Sequence, residues 1–198
     1  MSRSEQQAQT RAELLQAAAD VFVDRGLHRA TIEVITERAG YSRGAFYSNF
    51  SSKEELFATV LQERVFATYR ALAAGQLEAE GPLPSARQSA ELLAALQGDP
   101  SGAWLFRLWL ELLAQAGRDE HMQSLASEFW RSTRDLTARV VERSATEGRD
   151  LHGLTPELAA TALIALDIGL AIQHFVDPER VPLDAYPAIF GALIDGTP

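Results

Sequence analysis

The sequence predicts an all-α fold of about nine helices, a three-helix head carrying a helix-turn-helix followed by a larger helical domain, and three observations carry that prediction. Apolar residues recur at helical spacing along nearly the whole chain, and no stretch alternates strictly as a half-buried strand does. Gly and Pro punctuate this pattern where helices should end, at Gly26, Gly40, Gly81-Pro82, Gly98-Asp99-Pro100 and Asp177-Pro178. Ser or Thr stands at several starts, twice with Glu three residues later, the reciprocal arrangement that satisfies two orphan backbone N–H groups at once.

Taken in order, Thr10-Arg11-Ala12-Glu13 is the first such box, and Leu14, Leu15, Ala18, Val21 and Phe22 form the apolar face of a helix that Gly26 should close. Thr31 opens a short second helix through Ala39, with Ile32 and Ile35 turned inward, and Gly40 stops it. Ser42 caps a third short helix. Ser52-Lys53-Glu54-Glu55 launches a long helix whose apolar side is Leu56, Val60, Leu61 and Val65. The pattern loosens after Gly75 and breaks at Gly81-Pro82-Leu83-Pro84. Helices then run from about Ser85 to Leu96, from Ser101 to Gly117, and from Asp119 towards Ser144, and a polar loop covers Thr146 to Gly153. Thr155-Pro156, an N-cap with Pro at the first helical position, starts the penultimate helix, which continues to Val176. The last spans Asp184 to Ile194, with Pro187 tolerated in its first turn. The expected division is a head at 1–53 and a second domain at 54–198.

Composition narrows the function classes. The chain has no Cys, so a disulfide framework and a thiolate metal site are both excluded. Its four His residues lie in different elements without ligand spacing, so neither a metal nor a cofactor is expected. No nucleophile elbow or phosphate loop is present, and an enzyme is not expected. The first eleven residues are polar, and the apolar run Leu158 to Ile172 is broken by Thr161 and Asp167, so the expectation is a cytoplasmic protein without a membrane span. The net charge of −9 is unevenly spread: residues 1–53 carry seven Lys/Arg against six Asp/Glu, the remainder 11 against 21. The acidity thus lies away from the head, and does not forbid the head from approaching phosphates.

The segment with chemistry in it is Gly40-Tyr41-Ser42-Arg43-Gly44-Ala45-Phe46-Tyr47-Ser48-Asn49-Phe50. A helix that enters a DNA groove needs small side chains on its leading face, and Ser42, Gly44, Ala45 and Ser48 qualify. Arg43 can take a guanine edge bidentately or clamp a phosphate. Tyr41 and Tyr47 can lie against the sugar-phosphate backbone, while Phe46 and Phe50, four apart, point into the head. Lys53, the only Lys of the chain, occupies the first turn of a helix, where a cation opposes the helix dipole unless a phosphate sits there too.

The order of these residues resembles the tetracycline-repressor (TetR) family. The resemblance rests on Arg11 to Ala18, Phe22, Gly26, Ala30-Thr31-Ile32, Ala39 to Tyr47, Phe50 and Ser52 to Phe57. It implies DNA contacts from Thr31, Tyr41, Ser42, Arg43, Gly44, Ala45, Tyr47 and Lys53, to which position adds Ser48 and Asn49. Two residues depart from the family's habit: Asn49 stands where His is usual, and Ile35 where a small Ala is common. The resemblance also implies a homodimeric regulator, expected to repress from a palindromic operator until a small, mostly apolar effector releases it. The alternative is a DNA-binding protein, architectural or partner-controlled, that senses no small molecule.

In the second domain, the last two helices are apolar on most sides, as expected where a partner supplies the second surface. Ala162, Ala165, Gly169 and Ile172 form a mostly small seam, and Tyr186, Ile189, Phe190 and Leu193 a stripe, assigned together to a dimer interface; the alternative is that both helices are core of one protomer. Aromatic residues concentrate in the sixth and seventh helices. Trp104, Leu108, Trp109, Phe129 and Trp130, with Leu170, Gln173 and His174 of the penultimate helix, are the expected effector-binding residues. Arg107, Glu111 and Gln115 recur every four residues as a solvated stripe or as polar hooks in a cavity.

Overall fold

The computed structural model describes residues 2–78 and 80–195, and every regular element among them is helical. We number them α1 (Arg3–Arg29), α2 (Ile32–Ala39), α3 (Arg43–Tyr47), α4 (Lys53–Val60, continued by the π-helical turn Leu61–Phe66 and by Ala67–Glu78), α5 (Ala86–Gly98), α6 (Pro100–Ala116), α7 (Glu120–Thr146), α8 (Pro156–Val176) and α9 (Ala185–Phe190, continued by the π-helical turn Gly191–Asp195). Packing divides the chain into two compact units, Met1–Thr68 with Trp104–Ser127, and Tyr69–Ala103 with Glu128–Pro198. The start of α4 and most of α6 thus pack in the same unit as α1 to α3.

In the first unit, α1 begins at Arg3 and not at Thr10. Residues 3–9 contain no helix breaker, and Ser2 and Glu5 make the capping box, with Glu5 N–H donating to Ser2 Oγ at 3.2 Å and Ser2 N–H to Glu5 Oε2 at 2.7 Å. Thr10 lies inside the helix, its hydroxyl donating to the Gln6 carbonyl. Gly26 does end the regular part, at φ 73° and ψ 163°, a conformation open to glycine alone, and one further turn reaches Arg29. That kink orphans the Leu27 N–H, which donates to Glu111 Oε1 of α6 at 3.0 Å; Gln115 Nε2 donates to the same oxygen at 2.8 Å. Glu111 is therefore a side-chain cap, neither a solvated stripe nor a hook in a cavity.

Gly40, at φ 74° and ψ 26°, closes α2 in the left-handed conformation, and the Tyr41 N–H returns to the Thr36 carbonyl at 2.9 Å. Leu14, Val21, Phe22, Ile35, Phe46, Leu56 and Phe57 fill the core of the head, with the Phe22 and Phe57 rings edge to face at 5.0 Å. Ile35 is fully buried, so its extra bulk is accommodated inside.

In the second unit, α5 presents Ala86, Ala90 and Ala94 at a spacing of four, and this small seam admits Tyr186 and Phe190 of α9 beside Leu170 of α8. Asp195 at the end of α9 accepts from the Ala86 and Arg87 N–H groups, both at 3.0 Å, and so caps α5. Arg143 of α7 donates to the Gln76 and Leu77 carbonyls at the end of α4 and to the Gly81 carbonyl beyond it. The assignment of Tyr186 and Phe190 to a dimer interface is corrected here: they are 0% and 3% exposed within one protomer, because the alanines of α5 leave room for them. Ile189 is half-buried against the same cluster.

Helix α8 also differs from expectation. Its 21 residues reach a mean hydropathy of 1.6, long and apolar enough by composition to cross a membrane, yet only 17% of that window is buried. Thr161 and Asp167 do not shorten it as a hydrophobic stretch. Leu158, Ala162, Ala165, Ile172, Phe175 and Val176 are exposed, whereas Ala160, Leu170 and Ala171 face inward.

Candidate nucleic-acid interface

Ser42 builds α3: its Oγ accepts from the Ala45 N–H at 3.2 Å, which satisfies one orphan donor of the first turn and keeps the hydroxyl proton for an outside partner. Thr31 does the same for α2, accepting from Val34 N–H at 3.3 Å. Phe46 and Phe50 anchor the inner side at 0% and 2% exposure. The outer side then consists of Ser42, Arg43, Gly44, Tyr47 and Ser48, all exposed, with Tyr47 at 52%. Ala45 and Asn49 sit half-buried at its margin. The result is one small-residue face carrying a single guanidinium and a phenol, the shape a major groove admits.

The electrostatics of this face are held in check by the chain itself. Arg43 Nη1 lies 2.7 Å from Glu33 Oε1 of α2. Hydrogen bonding to Tyr47 and the charge of Glu33 raise the guanidinium above its ordinary value. Hydrogen bonding to its own backbone N–H, more than the nearby Arg43, holds Glu33 below the usual carboxylate range. Tyr41 donates its hydroxyl to Glu13, which that bond and one from Gln9 lower. Arg11 lies 4.5 Å above the Phe50 ring and donates to the Asn49 carbonyl at 3.4 Å. Arg38 pairs with Asp24 at 3.2 Å and Asp20 at 3.8 Å.

Two residues are used differently from what their types suggest. The Asn49 amide donates to the Ala45 carbonyl at 2.8 Å and closes α3, because that helix ends with a free acceptor within its reach. Lys53 donates to the Leu27 and Ala30 carbonyls at 2.7 and 3.0 Å. Its misfit with its own helix is resolved by the carbonyl-rich end of α1, where a cation belongs; the phosphate is not needed to explain it.

The profile of the family described as bacterial regulatory proteins, tetR family, matches residues 14–60, and that of the BetI-type transcriptional repressor C-terminal region matches residues 84–197. The chain belongs to the TetR family. It is a DNA-binding transcriptional regulator. Among TetR relatives, the HTH-type transcriptional repressor DhaR of Mycobacterium sp. (strain GP1) is 28% identical over 190 residues, 94% of this chain and 93% of that one. The HTH-type transcriptional activator FasR of Mycolicibacterium smegmatis is 53% identical over 55 residues, which are 28% of this chain and only 25% of FasR. The structure of SmeT, the repressor of the Stenotrophomonas maltophilia multidrug efflux pump SmeDEF, superposes with a TM-score of 0.70 at 26% identity, over 91% of this chain and 85% of that one. A SmeT complex with triclosan gives 0.75 at 25% identity, over 92% and 90%.

Within the TetR frame, the residues expected to bind an effector are divided between the two packing units. Trp104, Leu108 and Trp109 lie in the first, where Phe106 and Trp109 stack at 5.6 Å. Phe129, Trp130, Leu170, Gln173 and His174 lie in the second. There Tyr69 meets Phe129 edge to face at 5.6 Å, and Phe129 meets Trp130 at 5.1 Å. Two of these residues already bond within their own segment. Gln173 is exposed and its amide donates to the Gly169 carbonyl at 3.0 Å, because it stands on the outward face of α8. His174 has its Nδ1 2.9 Å from the Val181 carbonyl, so it fastens the turn after α8. Of the residues assigned to a dimer interface, Ala162, Ala165, Ile172 and Leu193 are exposed and Gly169 is half-buried. In the sequence Asp167 reads only as an interruption of an apolar run. The signal was there: a carboxylate at the centre of the stripe Ala160, Leu163, Leu170, Ala171.

Proposed function

We propose that this protein is a homodimeric, cytoplasmic repressor whose two heads read the halves of a palindromic operator and let go when a small molecule binds the second domain. The functional division is 1–53 for DNA and 54–198 for sensing and dimerisation. The observation that carries the DNA reading is the exposed face of α3, Ser42-Arg43-Gly44 with Tyr47 and Ser48, set on a fully buried Phe46. Repression, as opposed to activation, is supported by the repressor-type profile across residues 84–197. Thr31, Tyr41, Ser42, Arg43, Gly44, Ala45, Tyr47 and Ser48 would meet the duplex; Lys53 and Asn49 would do so only with a donor left over from their internal bonds.

The uncovered face of α8 supports the dimer. Leu158 is 56% exposed, Phe175 48% and Val176 75%, an apolar surface of a kind that monomers seldom leave to water, and Leu193 of α9 adds to it at 62%. A second copy of the same helix, seated on Ala162, Ala165, Gly169 and Ile172, would cover it by a two-fold interface. Half-sites would then be separated by about 34–36 Å, one turn of duplex, or a multiple of it. Trp104, Leu108, Trp109, Phe129, Trp130 and Leu170 remain the apolar part of the sensing region. The Glu111 to Leu27 bond gives α6 a direct hold on the kinked end of α1, and effector-linked movement of α6 would misplace the head. Coupling of about 1–3 kcal/mol is typical of such systems.

Sedimentation of the protein alone and on operator fragments recovered from genomic DNA tests this reading. Two chains in both states, with a two-part footprint, are expected. A monomer off DNA and a footprint over one half-site would overturn it.

A further inference from the structure

We propose that Asp167 is the polar anchor of the sensing site and that the effector presents to it an ammonium group bearing N–H. This rests on, and sharpens, the regulator reading above. Asp167 lies at the middle of α8, and its neighbours at helical spacing, Ala160, Leu163, Leu170 and Ala171, turn inward with it, while Ala162, Ala165 and Ile172 occupy the opposite face. Its Oδ1 is sealed from solvent and has no hydrogen-bond partner among the described residues. The hydroxyl of Tyr186 is orphaned in the same way. Both that phenol and the phenol of Tyr69 are pushed up by burial first and by the charge of Asp167 second, so the carboxyl lies within electrostatic reach of both. Tyr69 in turn begins the aromatic row Tyr69, Phe129, Trp130.

A carboxyl oxygen sealed off without a donor is costly to the fold, and buried polar groups are otherwise almost always satisfied. Among the described residues no side chain donates to Asp167 Oδ1. What the arrangement lacks is a donor carrying positive charge: a carboxylate and a phenol oxygen to accept from it, and ring faces whose negative quadrupole favours a cation. A quaternary ammonium would supply the charge and leave Oδ1 without its hydrogen bond. A neutral alcohol would supply the bond without the charge. The primary or secondary ammonium group supplies both, with an apolar body against Phe129 and Trp130.

Calorimetric titration of the full-length protein with straight-chain primary amines from butyl to decyl, each matched to its alcohol and its trimethylammonium salt, tests the anchor. The best amine should bind at least about tenfold tighter than either match, the usual advantage of a hydrogen bond to a charged group. In Asp167→Asn the three should converge to within about twofold. Tyr186→Phe, which removes only an unpartnered hydroxyl, should weaken the amine several-fold with the fold intact. Equal binding of amine and alcohol, persistence of the preference in Asp167→Asn, or no amine binding across the series would overturn the proposal. Operator binding by the wild type without amine is measured in parallel. Its absence would sink the regulator reading, whereas its presence without any amine preference would sink the anchor alone.

Discussion

At Arg43 the free protein holds its guanidinium against Glu33, with both side chains more than half exposed, so the pair contributes little to the fold and is easily given up to a phosphate or a base. Glu33→Gln should therefore tighten DNA binding several-fold at low salt, as read by fluorescence anisotropy, since it removes both a competitor for Arg43 and a negative charge from the face. Unchanged or weaker binding would mean that Glu33 organises Arg43 instead of restraining it. Lys53 calls for the opposite kind of test. Lys53→Met leaves the carbonyls of Leu27 and Ala30, at and just past the end of α1, without their donor and should lower stability by about 1–3 kcal/mol in urea titration, even with no DNA present. Equal stability would return Lys53 to a phosphate role only. The cap residues and the inward Phe46 and Phe50 were legible in the sequence because each follows from local spacing. The partners of Arg43, Lys53 and Glu111 were not, because they come from other elements and leave no periodic trace.

Helices were legible to within a turn except where one chemistry was masked by another. Thr10 has every attribute of an N-cap, yet Ser2 and Glu5 start α1 because nothing between them breaks a helix. The π-helical turns at Leu61–Phe66 and Gly191–Asp195 had no counterpart in the pattern, since one extra residue per turn hardly alters an apolar stripe. Helices α8 and α9 read alike as sequences, both apolar nearly all round, and only the structure separates them: α9 packs Tyr186, Ile189 and Phe190 on the alanines of α5 and leaves Leu193 outside, whereas α8 keeps a whole outward face uncovered. Ile172→Glu should accordingly shift the protein from dimer to monomer in light scattering while helical content is retained. A dimer that survives it would place the interface elsewhere. Gly26→Ala would strain a φ of 73° and set a Cβ 3.2 Å from Glu111 Oε2, so melting should fall and the hold of α6 on α1 should loosen.

For the whole molecule, the buried acid gives stability a pH dependence of defined sign. Burial raises the carboxyl of Asp167 to about 7 in the folded chain, from 3.8 in the unfolded one; Tyr69 and Tyr186, the titratable groups facing it, stay protonated throughout this range. Between about pH 4 and 7 the folded state keeps a proton that the unfolded state has lost, so this residue's contribution falls as pH rises and is level above 7. The loss is on the order of a few kcal/mol. Denaturant titrations at pH 5 and pH 8 should show it, and Asp167→Asn should remove most of the difference; an equal difference in the variant would assign it to other groups. The two packing units also explain why the aromatic residues resisted sorting from sequence. Trp109 and Phe129 look equivalent on paper, yet they fall in different units.

Whether the exposed face of α3 reads bases is decided by selecting bound fragments from random DNA with the purified protein at fixed salt, beside an Arg43→Ala variant. A palindrome recovered by the wild type, with specificity lost at one position of each half-site in the variant, is the predicted result. Fragments without a shared sequence, bound alike by both proteins, would contradict it.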